Sequence, residues 1–344
     1  MPDLTVSAGL ARRLIDFAVA KCADEAALVG QSGIAAEDLR DQDARIPLGQ
    51  YAALVRAGTV LTGDPALALH FGAAVDMAEF SVVGLLFQTC ETILESLGQI
   101  NRYGRLIVEV DAGTAERFQL QRREGALWLV DTRRDPDPFP ELTEATFARF
   151  ISMTRRFASQ PLVAQVDVTH AAPAHRADYD RVFGAPTRFG RDWNAMQVDE
   201  AGLNRRIAVQ PRYAFAILGN HAEALLQNLE NSKSMRGKVE SLLVPLLHTD
   251  RTSMVATAGA LGLSRQSLYR LLRAEGVTFQ QVLDDLRHRL ALSYIGGRRV
   301  SVNEAAFLVG FSDPAAFSRA FKRWTGASPR ALQRAPEGGE SQGR

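Results

Sequence analysis

One pattern occurs twice in the last hundred residues, and it restricts the fold more than any other feature of the chain. The first copy reads Ala258-Gly-Ala-Leu-Gly262-Leu-Ser264 and continues Leu268-Tyr-Arg270-Leu-Leu272-Arg273; the second reads Ala306-Phe-Leu-Val-Gly310-Phe-Ser-Asp313 and continues Phe317-Ser-Arg319-Ala-Phe321-Lys322. Each sets a small residue four positions before a glycine, then a capping residue, then a helix with a basic outer face. The small residue lets two helices approach closely, and the glycine permits the left-handed backbone of a tight turn. Ser264 is expected to cap the second helix of copy one, and Asp313 with Pro314 that of copy two. Ser301-Val-Asn-Glu304 reads as a capping box opening copy two. This is helix-turn-helix grammar, written twice.

The second helices align residue for residue. Leu268, Leu271 and Leu272 match Phe317, Ala320 and Phe321 on the expected buried face, and Arg270 and Arg273 match Arg319 and Lys322 on the outer face. Arg270 and Arg319 lie 49 residues apart, and Phe279, Val282, Leu283, Leu286, Leu290 and Tyr294 between them define one long amphipathic helix. Two such helices on a rigid linker are suited to successive major grooves about 34 Å apart. A plain helical bundle accounts for caps and burial but not for matched basic stripes.

The charge distribution points the same way. The 344 residues carry 40 Lys+Arg and 39 Asp+Glu, yet residues 1–233 hold 24 basic and 30 acidic side chains while residues 234–335 hold 15 and 7. An acidic first part joined to a basic last hundred residues suggests a polyanion partner for the second. The length predicts about two domains, and 46% hydrophobic with 23% charged residues excludes disorder of the whole chain. The uncharged stretch Phe80–Cys90 is 11 residues long, short of the roughly 18–20 that a membrane span needs. With no secretory signal after Met1-Pro2-Asp3 and only Cys22 and Cys90 as thiols, the expected setting is the cytoplasm, without membrane contact.

From Leu10 to Val110 apolar residues recur at helix spacing, as in Leu14, Phe17, Ala18 and Cys22 or Leu54, Val55, Gly58 and Leu61. The period then changes. Glu116–Leu120 and Leu127–Val130 read as strands joined by the turn Arg123-Glu124-Gly125, and Asp135–Pro140 reads as a loop. Glu141–Ala158 returns to helix and Leu162–Val168 to strand, with short extended pieces near Arg188 and Met196–Val198. Pro211–Asn228 predicts a connecting helix. The expected fold is an α+β first domain, helices plus a small antiparallel sheet, followed by an all-α domain with two helix-turn-helix units joined by a linker helix. The boundaries are drawn at 1–210, 211–233 (linker), 234–333 and 334–344 (disordered tail).

Residues 234–333 resemble the double helix-turn-helix domain of the AraC/XylS transcription regulators. The most distinctive segment is Ala305-Ala-Phe-Leu-Val-Gly-Phe-Ser-Asp-Pro-Ala-Ala-Phe-Ser-Arg-Ala-Phe-Lys-Arg-Trp-Thr-Gly326-Ala-Ser-Pro329. The first 200 residues resemble the so-called arabinose-binding effector domain of the subfamily that includes ornithine-responsive regulators, through Tyr103-Gly-Arg-Leu, His170 with Pro173, Tyr179 leading to Phe183-Gly184, and Phe189-Gly190. That subfamily does not share the sugar-binding barrel of the arabinose regulator. The resemblance implies base reading by Arg265, Gln266, Tyr269 and Arg270 in copy one and by Ala315, Ser318 and Arg319, beside Pro314, in copy two. It assigns Arg273, Arg298, Arg299 and Lys322 to the DNA backbone. Arginine suits a bidentate contact to guanine, glutamine suits adenine, and Ala315 can at most touch a thymine methyl. Copy one is therefore expected to carry more of the specificity and copy two more of the anchoring. The implied partners are double-stranded DNA and a small-molecule effector, with room for RNA polymerase and a homodimer.

For the first domain, Phe71, Phe80, Phe87, Tyr103 and Trp128 are core residues that could also line a pocket, and Arg102, Arg105 and Arg123 could attract an anion or simply cover an exposed helix face. No effector site is assigned. The chain has no Gly-x-Gly-x-x-Gly, P-loop, His-Glu-x-x-His or Gly-x-Ser-x-Gly. His170 and His175 lack neighbouring ligands for a metal. No enzyme activity, cofactor or metal is expected. The rival readings are a ligand-independent architectural DNA binder, disfavoured by the acidic first part, and an enzyme fused to a DNA-binding module.

Overall fold

The computed structural model describes residues 4–112, 116–156, 160–206, 212–249, 252–296 and 300–334, and the chain divides into two compact units, Met1–Leu226 and Gln227–Arg344. Among the described residues the first unit begins with a ribbon of β1 (Thr5–Ser7) and β2 (Arg45–Pro47), too short to show a period in sequence. Helices α1 (Ala8–Ala20), α2 (Glu25–Ser32), α3 (Leu48–Thr62), α4 (Leu67–Ala74), α5 (Val82–Gln88) and α6 (Ile93–Tyr103) follow. Their starts are chemically marked: the side chains of Ser7, Asp24, Ser81 and Thr92 accept backbone N–H bonds at the beginnings of α1, α2, α5 and α6. Leu14, Ala18, Leu54 and Val55 are buried as their spacing predicts. Cys22 is not part of that stripe. It lies beyond the end of α1, exposed, at φ 69°.

A mixed sheet follows: β3 (Phe118–Arg123), β4 (Ala126–Asp131), β5 (Val163–Asp167), β6 (Thr187–Arg188) and β7 (Asn194–Val198), in the order β3-β4-β7-β5-β6. All its pairs are antiparallel except β5–β6. The β3–β4 turn is two residues rather than three. Glu124 and Gly125 both have positive φ, 53° and 78°, the backbone that a type I′ hairpin requires, so Arg123 stays in the strand opposite Ala126. Between strands come α7 (Pro140–Arg155) and α8 (Arg176–Phe183), then α9 (Glu200–Leu203) and α10 (Arg212–Lys233). Pro140 opens α7 instead of ending the loop, because its fixed φ suits the first helical position.

Helix α7 covers one face of the sheet, where Phe147, Ala148 and Ile151 pack with Leu129, Val166 and Met196. Helix α4 crosses it so closely that a Cβ on Gly72 would fall 2.3 Å from the Ala145 carbonyl oxygen. The other face carries Trp128, Val130, Trp193 and Ala195.

The second unit is helical: α11 (Met235–Leu243), α12 (Met254–Ala260), α13 (Arg265–Ala274), α14 (Phe279–Gly296), α15 (Val302–Leu308), α16 (Pro314–Thr325) and α17 (Pro329–Arg334). It has two cores. Leu243, Ala258, Leu268, Leu272, Val282 and Leu286 form the first, and Ala291, Ile295, Ala306, Val309, Phe317 and Phe321 the second. The two halves of α14 supply both, so this 18-residue helix, about 27 Å long, is the shared beam.

Candidate nucleic-acid interface

Each recognition helix is set by its own turn and cap. In the first helix-turn-helix α12 ends in a turn at Gly262, φ +67°, and the Ser264 hydroxyl accepts the Ser267 amide at 3.1 Å to start α13. In the second, Ser301 and Glu304 close the capping box of α15, Gly310 turns at φ +80°, and Asp313 accepts the amides of Ala315 and Ala316 at 2.9 and 3.0 Å. Leu268 and Leu272 of α13 and Phe317 and Phe321 of α16 are fully buried. Each contributes about 1.5–3 kcal/mol. Leu271 departs from the expected alignment. It is 36% exposed where its counterpart Ala320 is 7%, because a leucine at the rim of the stripe protrudes where an alanine fits beneath it.

The outer face of α13 presents Arg265, Gln266, Tyr269, Arg270 and Arg273, all exposed. Among the described residues, the side chains of Arg265, Gln266 and Arg270 make no hydrogen bond or ion pair with the protein. Arg273 is less free: its Nε donates to the Tyr269 hydroxyl at 3.2 Å, with the guanidinium 5.6 Å from that ring. On α16, Pro314, Ala315, Arg319 and Lys322 are exposed and Ser318 is half-buried. The Arg319 Nη2 stands 3.7 Å from the Asp313 carboxylate that caps its own helix. The amides of Ala315 and Ala316, with Arg319 nearby, hold that carboxyl below the ordinary carboxylate range. Arg298 and Arg299 lie outside the described residues.

Two supporting groups had no local signal in the sequence. Arg287 of α14 donates to the carbonyls of Val309 and Gly310 and sits 5.3 Å from the Phe311 ring, bracing the second turn. The Glu275 carboxylate accepts the amides of Met235 and Arg236 at 2.6 and 2.9 Å, capping α11 from 39 residues away.

In the first unit, a cavity of about 380 Å³ opens between α6, α7 and the sheet. Phe71, Phe80, Phe87, Tyr103 and Trp128 are all buried, and none of them borders it. Of the arginines, Arg105 reaches the cavity but is paired with Glu109; Arg102 is paired with Glu223. Arg123 is paired with Asp192 and packed on Trp193, and it belongs to a strand rather than a helix. Of the residues that carried the resemblance of the first domain, Gly104 and Arg105 border the cavity, and another group meets elsewhere. His170, Phe183 and Phe189 surround Tyr179, whose hydroxyl donates to Glu144 at 2.5 Å. Burial pushes the Glu144 carboxyl up to about 7, against the opposing pull of that hydrogen bond.

Comparison with known proteins places both parts of the chain. Residues 23–207 match the arabinose-binding N-terminal domain of AraC transcription regulators, and residues 257–335 match a helix-turn-helix domain. The chain is 27% identical to the ornithine utilization regulator of Pseudomonas aeruginosa, over 96% of this chain and 97% of that protein. It is 25% identical to the transcriptional regulator VirS of Mycobacterium tuberculosis, over 84% of each. The crystal structure of the transcriptional regulator CdpR from Pseudomonas aeruginosa aligns over 94% of this chain and 97% of that one, with 20% identity and a TM-score of 0.43. The chain belongs to the AraC-type DNA-binding transcription regulators whose first domain is of the arabinose-binding type.

Proposed function

We propose that the exposed faces of α13 and α16 read one stretch of duplex DNA in two successive major grooves, and that a small molecule bound by the first domain adjusts this reading. The supporting observation is the pair of basic outer faces, each on its own core and both cores carried by α14. Arg265, Gln266, Tyr269 and Arg270 read bases from α13; Arg319, with Ala315 and Ser318, reads fewer from α16; Arg273, Lys322, Arg298 and Arg299 hold phosphates. Residues 1–210 sense the effector, 211–233 connect, and 234–333 bind DNA. Effector binding shifts the population of DNA-competent arrangements through the connecting segment, a coupling of about 1–3 kcal/mol. The chain acts in the cytoplasm and without catalysis. The reading leaves room for RNA polymerase and a second copy of the chain as protein partners.

The test is binding of the full chain to DNA from upstream of its own and neighbouring genes, against nonspecific competitor and across salt concentrations. A protected site of about two major-groove turns per protomer with a steep salt slope is expected. Salt-dependent binding that ignores sequence, with and without candidate effectors, replaces this reading with an architectural role.

A further inference from the structure

Among the described residues that line the cavity in the first unit, Arg149 is a cation without an ion-pair partner. The cavity walls are mainly apolar, with Leu97 and Ile100 from α6, Phe150 and Met153 from α7, and Leu129 and Met196 from the sheet. Most of its polar groups are already engaged. The Asn101 side chain exchanges two hydrogen bonds with the Phe118 backbone, at 2.8 and 2.9 Å. Arg117 forks onto Asp131 at 3.1 and 2.8 Å, and the Thr146 hydroxyl donates to the Leu142 carbonyl at 2.6 Å. Arg149 of α7 differs. Among the described residues its guanidinium has no hydrogen bond or ion pair, and its Nε is buried without a partner. The guanidinium carbon stands 5.8 Å from the centre of the Phe71 ring.

Arg149 is half-buried with its Nε fully buried; a desolvated guanidinium without an anion is unfavourable, and arginine does not escape by losing its proton. Burial lowers the Arg149 pKa against the opposing pull of Tyr51, and Arg117 as a second nearby cation lowers it further, so the site resists positive charge. What relieves it is an anion of the shape a guanidinium fork accepts, a carboxylate. The rest of the occupant must match the apolar walls. Among the described residues an ammonium group finds no buried carboxylate to accept it: Asp131 is committed to Arg117, and Asp111 lies on the exposed rim. About 380 Å³ is near the lower end of small-molecule pockets, which fits a medium-chain or aryl-substituted acid.

We propose that this cavity binds a small amphipathic monocarboxylate, its carboxylate paired with Arg149 and its hydrocarbon body against the walls of α6, α7 and the sheet. The assignment rests on the reading of the first domain as the effector sensor, and it names the class of effector.

The test is calorimetry and thermal melting of the full chain without DNA, using hexanoate, octanoate and 3-phenylpropionate beside the corresponding neutral amides and lysine. At least one carboxylate is expected to bind one to one and raise the melting temperature, with its amide weaker by on the order of 100-fold and lysine inert. Arg149→Met is expected to lose that binding while melting no lower than the parent in the absence of ligand, since it removes an unpaired charge. Arg149→Lys is expected to keep part of the binding. Leu129→Phe, which narrows the cavity and leaves Arg149 in place, is expected to lose it too. Carboxylates that fail to bind at millimolar concentration, amides that bind as well, or an Arg149→Met chain that binds undiminished each overturn the proposal. Carboxylate binding by a chain that ignores DNA supports this site and removes the regulatory reading. DNA binding by a chain that ignores every carboxylate does the reverse.

Discussion

The two helix-turn-helix units share a turn backbone and differ in what surrounds it. Gly262 and Gly310 have φ of +67° and +80°, but a Cβ on Gly262 would meet open space, whereas one on Gly310 would fall 2.1 Å from the Leu247 carbonyl oxygen. Arg287 clamps the second turn, while the first turn forms without a side-chain brace of that kind among the described residues. The recognition helices differ in the opposite sense. Helix α13 offers long polar side chains that the protein does not hold, and α16 offers Pro314, Ala315 and an Arg319 that leans toward its own cap. The first helix-turn-helix is loosely seated and chemically rich; the second is wedged and sparse. A sequence repeat therefore specifies the local backbone twice without specifying the same job twice.

The sharpest way to break the comparison is at the two glycines. Alanine at either site must adopt a left-handed backbone, at about 1–2 kcal/mol. At Gly310 the added methyl must also displace the Leu247 backbone, and overpacking adds about 1–3 kcal/mol. Gly310→Ala is expected to destabilise α15 and α16 by about 3 kcal/mol, and Gly262→Ala to destabilise α12 and α13 by about 1 kcal/mol. Hydrogen exchange of the amides in these helices, in the full chain, measures both. Equal losses would show that the tighter seat of the second turn does not matter to its stability.

A smaller effect separates reading from anchoring. Arg270→Ala is expected to remove about 1–3 kcal/mol of discrimination at one base pair. Arg319→Ala, whose parent guanidinium is partly drawn to Asp313, is expected to relax base preference less and to weaken binding more evenly across sequences. Competition binding against a library of single-base operator variants at several salt concentrations decides it. If Arg319→Ala relaxes base preference more than Arg270→Ala, the division of labour is inverted.

The second unit was legible because its chemistry is local. A capping box, a turn glycine and an i, i+4 apolar pair each lie within about eight residues, and helix geometry then fixes which side chains face out. What escaped was long-range: Arg287 on the 309–310 carbonyls, Glu275 under α11, Leu271 at the rim. In the first unit the strand period gave most of the sheet, but β1 and β2 are three residues each and the β5–β6 pair is parallel. The cavity escaped entirely. Arg149 looks in sequence like any arginine on an amphipathic helix, and only the packing of α6, α7 and the sheet shows that it lacks a partner. The aromatic residues that drew attention instead, Phe71, Phe80, Phe87, Tyr103 and Trp128, fill the core.

The subtlest difference between the two helix-turn-helices lies in their caps. Ser264 caps α13 with a hydroxyl that does not titrate, whereas Asp313 caps α16 with a carboxylate whose pKa is depressed by the two amides it accepts. A carboxyl depressed in the folded state contributes stability that is present above its unfolded value, about 3.9 for an aspartate, and lost as the pH falls through the lower folded value. Acidification should therefore loosen the start of α16 through its cap and leave the cap of α13 unchanged. NMR amide shifts follow this directly. Those of Ala315 and Ala316 are expected to move with a midpoint below the ordinary aspartate value, while that of Ser267 shows no such step, and Asp313→Asn is expected to abolish the movement while keeping a side-chain oxygen at the cap. A midpoint at or above the ordinary value would mean that the Asp313 carboxylate is not held by those amides in solution, and the second recognition helix would then be the less firmly started of the two.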